Sequence, residues 1–148
     1  MKQFLIVLTL LMSTIVKAQT AEDSVKAVIN RMFAAMKNAD GDMLKSTFAD
    51  SMILQTISRN KEGKMIIRND QPSAFISQMK SLTPGDADER ITFDVVKVDG
   101  PLAIAWTPYQ FYFKGNYSHC GVNSFQLVRF NGEWRIQYLI DTRRKECR

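Results

Sequence analysis

Histidine and cysteine are scarce in this chain, which has one histidine and two cysteines among 148 residues. A single histidine excludes the His-based clusters that bind zinc, so we expect no metal site. The chain also lacks a strong excess of either charge. Without Lys2 and Lys17, which precede the expected mature start, 18 basic residues stand against 15 acidic ones, an excess of 3. That excess is too small to attract nucleic acid, so we expect no nucleic-acid partner.

Long hydrophobic runs are also lacking. The most apolar stretch, residues 4–16, is shorter than the roughly 20 residues that a bilayer-spanning helix needs. It follows the basic Lys2 and precedes Val16-Lys17-Ala18, which offers small residues where a signal peptidase reads. Residues 1–18 therefore predict a signal peptide, with a membrane-anchoring helix as the alternative. We expect residues 19–148 to form one domain that is periplasmic or secreted, without membrane insertion.

Two kinds of hydrophobic spacing alternate along the rest of the chain. Apolar residues between Val25 and Met36 recur at helical spacing, and Pro72 suits the first turn of a later helix. The predicted order is a helix over residues 20–37, a short helix from 40 or 41, strands at 52–58 and 64–67, a helix from 72, and strands at 89–98, 103–113, 118–130 and 133–142. This order predicts an α+β fold, with three helices packed on a strongly curved, mainly antiparallel sheet. Helix and sheet should diverge into a cone-shaped pocket.

The last three strands determine which residues we expect in that pocket. Asn131-Gly132 predicts a two-residue hairpin loop, which places Phe125 opposite Tyr138. If residues 114–117 link the preceding hairpin, Tyr112 lies opposite His119 on the same face. The predicted ligand-binding residues, two of them from the first helix, are Trp106, Gln110, Asn123, Phe125, Tyr138, Met32 and Met36.

The other face of the same strands is predicted to be apolar too. Tyr109, Phe111 and Phe113 alternate with the predicted pocket residues and so should point away from the pocket. An apolar outer face suggests pairing with a second copy, and we expect a homodimer through this face of the sheet. Asp141 and Arg143 are expected to form an ion pair on this outer face.

The two cysteines, Cys120 and Cys147, raise the question of a disulfide, because exported proteins commonly contain them. The hairpin register places Cys120 opposite Arg143, four residues short of Cys147. The bond therefore requires the chain end to leave the ladder and fold back. The alternative is a buried Cys120 and an exposed Cys147 that is open to intermolecular pairing.

Several segments point to a known family. They are residues 33–42 (FAAMKNADGD), residues 48–50 (FAD) and residues 131–136 (NGEWRI). In these segments and in its order of elements the chain resembles the NTF2-like superfamily, also called SnoaL-like or ketosteroid-isomerase-like, whose fold is an α+β cone. Residues 118–125 (SHCGVNSF) with 141–144 (DTRR) resemble an exported bacterial branch of it that carries a lumazine-binding label.

The resemblance implies little about activity, because the superfamily holds isomerases, dehydratases, cyclases, hydrolases and non-enzymatic binding domains. Its isomerases place a catalytic carboxylate at or beside the position of Thr56, and no acid lies between Ser51 and Arg59. We therefore favour an exported domain that binds a small, partly apolar molecule without catalysis and without a cofactor. One alternative is a lyase or isomerase that uses His119 with Tyr112 or Tyr138. The other is a structural or protein-interaction module with a filled pocket.

Overall fold

The computed structural model describes residues 20–147. The signal-peptide prediction for residues 1–18 lies outside them. The elements are α1 (Ala21–Lys37), α2 (Gly41–Ser46), β1 (Phe48–Arg59), β2 (Met65–Asp70), α3 (Pro72–Lys80), β3 (Ala87–Ile91), β4 (Val95–Asp99), β5 (Leu102–Phe113), β6 (Asn116–Phe130) and β7 (Glu133–Thr142). This order confirms the predicted α+β class, and it splits the predicted strand at 89–98 into β3 and β4.

The sheet contains all seven described strands in the order β2-β1-β7-β6-β5-β3, and β4 pairs with β5 beside β3. Every pairing is antiparallel except that of β1 with β7. The three helices pack on this mostly antiparallel sheet, as predicted. No helix within residues 20–147 is long and apolar enough to span a membrane.

Helix α1 supplies one wall of the core. Thr20 caps its N-terminus in a capping box with Asp23, and Asn38 ends it. Its apolar stripe is buried against β3, β4 and β7, so this helix lies across the sheet. The buried residues that it contributes are Val25, Ile29, Met32, Phe33, Ala35 and Met36.

The β6–β7 hairpin begins in the predicted register. Asn131 and Gly132 form its loop at φ of 49° and 88°, and the register holds as far as Leu127 opposite Ile136. Gln137 is then an extra residue on β7, a β-bulge, after which Gln126 lies opposite Tyr138. Every side chain of β7 beyond the bulge therefore points to the face opposite to the one predicted.

The β5–β6 hairpin differs from its prediction in a similar way. Its loop is Lys114-Gly115, both at positive φ, rather than the four residues predicted. Ser118 is an extra residue on β6, so Tyr112 lies opposite Tyr117 but Phe111 lies opposite His119. Because of the bulge at Ser118, the β5 side chains that share a face with His119 are Phe111 and Tyr109, and not Tyr112 and Gln110 as predicted.

The chain end folds back on β6 and is bonded to it. Cys120 pairs with Arg144 through two backbone hydrogen bonds of 2.9 Å, one position beyond the predicted Arg143. The chain then turns, and Cys147 forms a disulfide with Cys120 across a Cα–Cα distance of 6.0 Å. The Tyr117 hydroxyl donates to the carbonyl oxygen of Lys145 at 3.0 Å, which also holds this segment on β6.

Candidate functional site

A cavity of about 550 Å³ opens between the sheet and helices α1 and α3. Its walls combine apolar side chains from both helices with a group of polar side chains from the sheet. The lining residues are Met32, Phe33, Met36, Leu54, Thr56, Arg68, Asp70, Gln71, Ala74, Phe75, Gln78, Met79, Leu82, Glu89, Tyr109, Phe111, Phe113, His119, Asn123, Leu139, Asp141 and Arg143. A volume of this size suits a small organic molecule.

Four of the residues predicted for the pocket line this cavity. Met32 and Met36 belong to the apolar wall from α1, and His119 and Asn123 project from β6. The side chains of β6 were assigned to the correct face of the sheet, because the predicted hairpin register holds as far as Leu127, which points into the core. Whether these four residues bind a ligand stays a prediction.

The prediction that Trp106, Gln110 and Tyr112 face the pocket is wrong. The bulge at Ser118 turns these residues of β5 to the outer face, where 46% of Trp106 is exposed. The Tyr112 hydroxyl donates to Gln110 there at 3.2 Å, and the Arg90 guanidinium lies 4.1 Å from the Tyr112 ring. Tyr112 is therefore directed away from His119, with which the lyase or isomerase alternative paired it.

Tyr138 and Phe125 are also absent from the cavity lining, for different reasons. The bulge at Gln137 turns Tyr138 to the outer face, where its hydroxyl donates to the Gln55 side chain at 2.6 Å. Phe125 points inward as predicted, but it is fully buried beneath the cavity, with its ring edge-on to that of Phe33.

The same inversion moves residues of the predicted outer face into the pocket. Tyr109, Phe111 and Phe113 line the cavity, contrary to the prediction that they face away from it. The outer face is nevertheless apolar, because Trp106 and Ile104 replace them there, with 46% and 44% of each exposed.

A buried tyrosine and an ion pair form the first part of the polar group. The single proton of the Tyr109 hydroxyl is shared between two acceptors, Asp141 Oδ2 at 3.0 Å and the Thr142 carbonyl oxygen at 2.9 Å. Arg143 Nε donates to the same Asp141 oxygen at 2.9 Å. Burial and the neighbouring Asp141 raise the pKa of Tyr109, so its hydroxyl keeps its proton. The expected Asp141–Arg143 ion pair therefore exists, but in the pocket and not on the outer face.

Gly121 permits this arrangement of backbone and side chain. A Cβ at this position would overlap the carbonyl oxygen of Thr142 and lie 2.8 Å from the Tyr109 ring. Only glycine lets the β7 backbone approach closely enough for Thr142 to accept the Tyr109 hydrogen bond.

Glu89 and Asn123 form the second part of the polar group. The Asn123 side-chain amide donates to Glu89 Oε1 at 2.8 Å. Burial raises the pKa of Glu89 to about 7 from its ordinary 4.5, and the charge on Asp141 adds to this, while the Asn123 hydrogen bond and Arg143 oppose it. Near neutral pH the Glu89 carboxyl can therefore both accept and release a proton.

His119 lies among aromatic rings near this polar group. Its ring centroid is 5.1 Å from that of Phe111 and 5.7 Å from that of Tyr109, and Nδ1 is 3.0 Å from Ser118 Oγ. Burial lowers the pKa of His119, and the positive charge of Arg143 lowers it further. The neutral imidazole is therefore the form present at pH 7.

Thr56 lines the cavity at the position where the resemblance implies an acid in the isomerases. It is 1% exposed and accepts a long hydrogen bond of 3.4 Å from Arg143 Nη2. The acids that line this cavity come instead from β3, at Glu89, from the end of β7, at Asp141, and from the end of β2, at Asp70.

The sequence analysis did not place Glu89 and Asp141 in the cavity, for reasons that differ. Glu89 lies on the same face of β3 as Ala87 and Ile91, which point to the core. A charged residue between two core residues on one face of a strand could have been recognised from the sequence. Asp141 gave no such signal, because only the bulge at Gln137 turns it inward. A bulge of this kind leaves no mark in the residue pattern.

Comparisons with known proteins agree on the fold. No family model matches the chain, and no curated protein matches it. An NTF2-like protein of unknown function from Shewanella baltica superposes with a TM-score of 0.63 at 10% identity, over 83% of this chain and 93% of that one. A cystatin-like domain of unknown function from Nostoc punctiforme gives a TM-score of 0.65 at 20% identity, over 86% and 80%.

A third similar structure is both NTF2-like and cystatin-like in its description. It is an NTF2-like protein with a cystatin-like fold from Novosphingobium aromaticivorans, with a TM-score of 0.64 at 13% identity, over 82% of this chain and 80% of that one. At these identities the likeness concerns the fold and not the activity. The chain thus has the NTF2-like, cystatin-like fold that its sequence resembles.

Proposed function

We propose that this protein is an exported domain that binds a small, partly apolar molecule in its cone-shaped pocket without catalysis. The cavity of about 550 Å³ is the observation that carries the proposal. A core that served only for stability would be expected to pack closely, without a void of this size. The alternative of a filled pocket expects no such cavity.

The composition of the walls supports a ligand with an apolar body and a polar end. Met32, Met36 and Phe75 form apolar surface on the helix side, while Asn123 and Arg143 offer directed hydrogen-bonding groups from the sheet. Apolar surface supplies affinity, and a few polar groups fix orientation. Lumazine, a bicyclic heteroaromatic compound, is one such molecule to test, given the branch that the sequence resembles.

Export and assembly belong to the same proposal. Residues 1–18 have the composition of a signal peptide, and the Cys120–Cys147 disulfide suits an oxidising compartment. A homodimer through the outer face is supported by the exposed Trp106, Ile104 and Ile53. Light scattering of the mature protein at micromolar concentration should give twice the monomer mass, and a strict monomer would rule the dimer out.

Native mass spectrometry of the protein purified from its own compartment tests ligand binding. We expect a co-purified small molecule in the unmodified protein and its loss in Ala74→Trp, because Ala74 lines the cavity at an exposed position, where an indole would obstruct entry. Ser73→Trp is the matched control, since Ser73 is an exposed neighbour on α3 outside the lining. Equal occupancy in both variants would count against binding in this cavity.

A second candidate function is acid–base catalysis of the lyase or isomerase type, with Glu89 moving the proton. The pKa of about 7 favours it, because a general base acts best when its pKa is near the working pH. Tyr109 then takes the place that the sequence assigned to Tyr112 or Tyr138, because it lines the cavity beside His119.

Deuterium uptake from D₂O into the α-carbon of α-tetralone, followed by mass spectrometry, separates the two functions. Exchange that depends on Glu89 and is lost in Glu89→Gln would establish catalysis. His119→Asn tests the histidine in the same assay. Absence of exchange above the buffer rate in the unmodified protein would leave binding as the function.

A further inference from the structure

We infer that the pocket selects molecules whose polar end is a protonated amine, and that Glu89 is the residue that binds this group. The inference rests on the proposed function and adds the chemical class of the ligand. It follows from how charges are paired among the lining residues, a property that strand sequences alone do not reveal.

Both arginines of the cavity already have carboxylate partners. Arg143 Nε lies 2.9 Å from Asp141 Oδ2. Arg68 at the mouth forms a two-point ion pair with Asp70, with N–O distances of 2.9 and 3.0 Å. An anionic ligand would have to compete with these carboxylates, so the arginines leave little net attraction for it.

Glu89 is the exception among the charged side chains that line the described cavity, because it has no ion-pair partner. Within residues 20–147 its only side-chain hydrogen bond comes from the neutral amide of Asn123, at 2.8 Å and to Oε1. A carboxylate in a partly dry site is unfavourable without a cation beside it. A ligand ammonium group would supply that cation and complete the charge balance of the cavity.

The surroundings of Glu89 favour the same class of ligand. Aromatic rings from Phe75, Phe111 and Phe113 line the cavity, and aromatic faces attract cations as well as apolar groups. Helix α1 contributes no charge to the lining, since its residues there are Met32, Phe33 and Met36. An amine with an apolar body can therefore place its charge at Glu89 and its body against these walls.

The affinity for such an amine should depend on pH, because it needs the ionised carboxylate. The groups that face Glu89 are Asn123 and His119 from β6, Tyr109 from β5, Asp141 from β7 and Arg143 beyond its end. His119 also titrates in this range, and burial and the charge of Arg143 lower its pKa, so it gains its positive charge at a lower pH than a free imidazole does. Protonation of either Glu89 or His119 weakens amine binding, and the part of the pH dependence that disappears in Glu89→Gln belongs to Glu89.

Three probes that share one apolar body test the inference: 1-naphthylmethylamine, 1-naphthalenemethanol and 1-naphthoate. Calorimetric titration at pH 8 should give the amine an affinity at least about tenfold above that of the alcohol, and the carboxylate should bind weakest. Glu89→Gln keeps the side-chain shape and should reduce the amine preference to within about threefold. Glu62→Gln removes the same charge from the exposed 60–63 turn and should leave the preference unchanged.

The unmodified protein provides a second measurement that needs no variant. At pH 5.5 the amine is still a cation but Glu89 is largely protonated, so the amine preference should fall about tenfold. An alcohol that binds as well as the amine at pH 8, or a preference that survives in Glu89→Gln, overturns the inference and leaves the proposed function standing. Failure of all three probes to bind counts against both.

Discussion

Replacement of Glu89 by glutamine should change how the stability of the protein depends on pH. The glutamine can still accept the hydrogen bond from Asn123, which is 2.8 Å long in the structure, so the substitution removes a charge and not a contact. It therefore isolates the energetic cost of ionising a carboxyl group in the cavity wall.

The direction and size of this effect on the free energy of unfolding follow from the raised pKa of Glu89. The folded protein holds the Glu89 proton more tightly than the unfolded chain does, so the stability from this group is complete below pH 4.5 and is lost as the pH rises through 7. A tenfold change in proton affinity is worth about 1.4 kcal/mol, so a rise of the pKa from 4.5 to about 7 gives roughly 3 kcal/mol. Water in the open cavity screens the charge, and we expect roughly 2–3 kcal/mol.

Urea denaturation at pH 5 and pH 8, with the disulfide intact, measures this difference. From pH 5 to pH 8 the unmodified protein should lose about 2–3 kcal/mol of unfolding free energy relative to Glu89→Gln. The lowered pKa of His119 acts in the opposite direction, because stability from that residue is lost as the pH falls, but it contributes equally to both proteins. Parallel pH profiles of the two proteins would refute the reasoning, and Glu62→Gln serves as the control for charge alone.

Three further variants are tested by the same denaturation assay. Thr107 Oγ1 is the buried side-chain atom without a hydrogen-bond partner among the described residues, so Thr107→Val should change stability by between zero and a gain of about 1 kcal/mol; a clear loss would contradict this. Gly121→Ala should cost at least about 3 kcal/mol or prevent folding, because the new methyl group overlaps backbone, whereas near-normal stability would show that the strands can separate there. Replacement of Cys120 and Cys147 by serine should cost roughly 3–4 kcal/mol in the chain-entropy model, given their separation of 27 residues, and a loss below about 1 kcal/mol would contradict it.

The sequence was most informative where structure depends on local residue types. The capping box at Thr20, the helix start at Pro72 and the loop at Asn131-Gly132 are all present, because caps and turns need particular side chains or positive φ. The helical face with Met32 and Met36 was likewise predictable, since its spacing follows from the helical repeat.

The pocket was predicted less well because strand facing depends on counting residues. Each of two bulges, at Ser118 and Gln137, adds one residue to a strand, and neither residue type marks the place. A single uncounted residue exchanges the two faces of everything beyond it. For this reason Trp106 and Tyr138 were wrongly assigned to the pocket, and Tyr109 and Asp141 were wrongly assigned to the outer face.

The two bulges show that the chemistry of this cavity depends on how many residues each strand contains, which substitutions do not change. Deletion of Leu139, with the bulge at Gln137 kept, would move Ile140 to an inward position and direct Asp141 towards solvent, although every remaining side chain would be unchanged. Among proteins of this architecture, a gain or loss of one amino acid in the final hairpin can therefore replace an acidic side chain of the cavity lining by an apolar one in a single step. Sequence alignments that slide a gap along this hairpin would hide such an event.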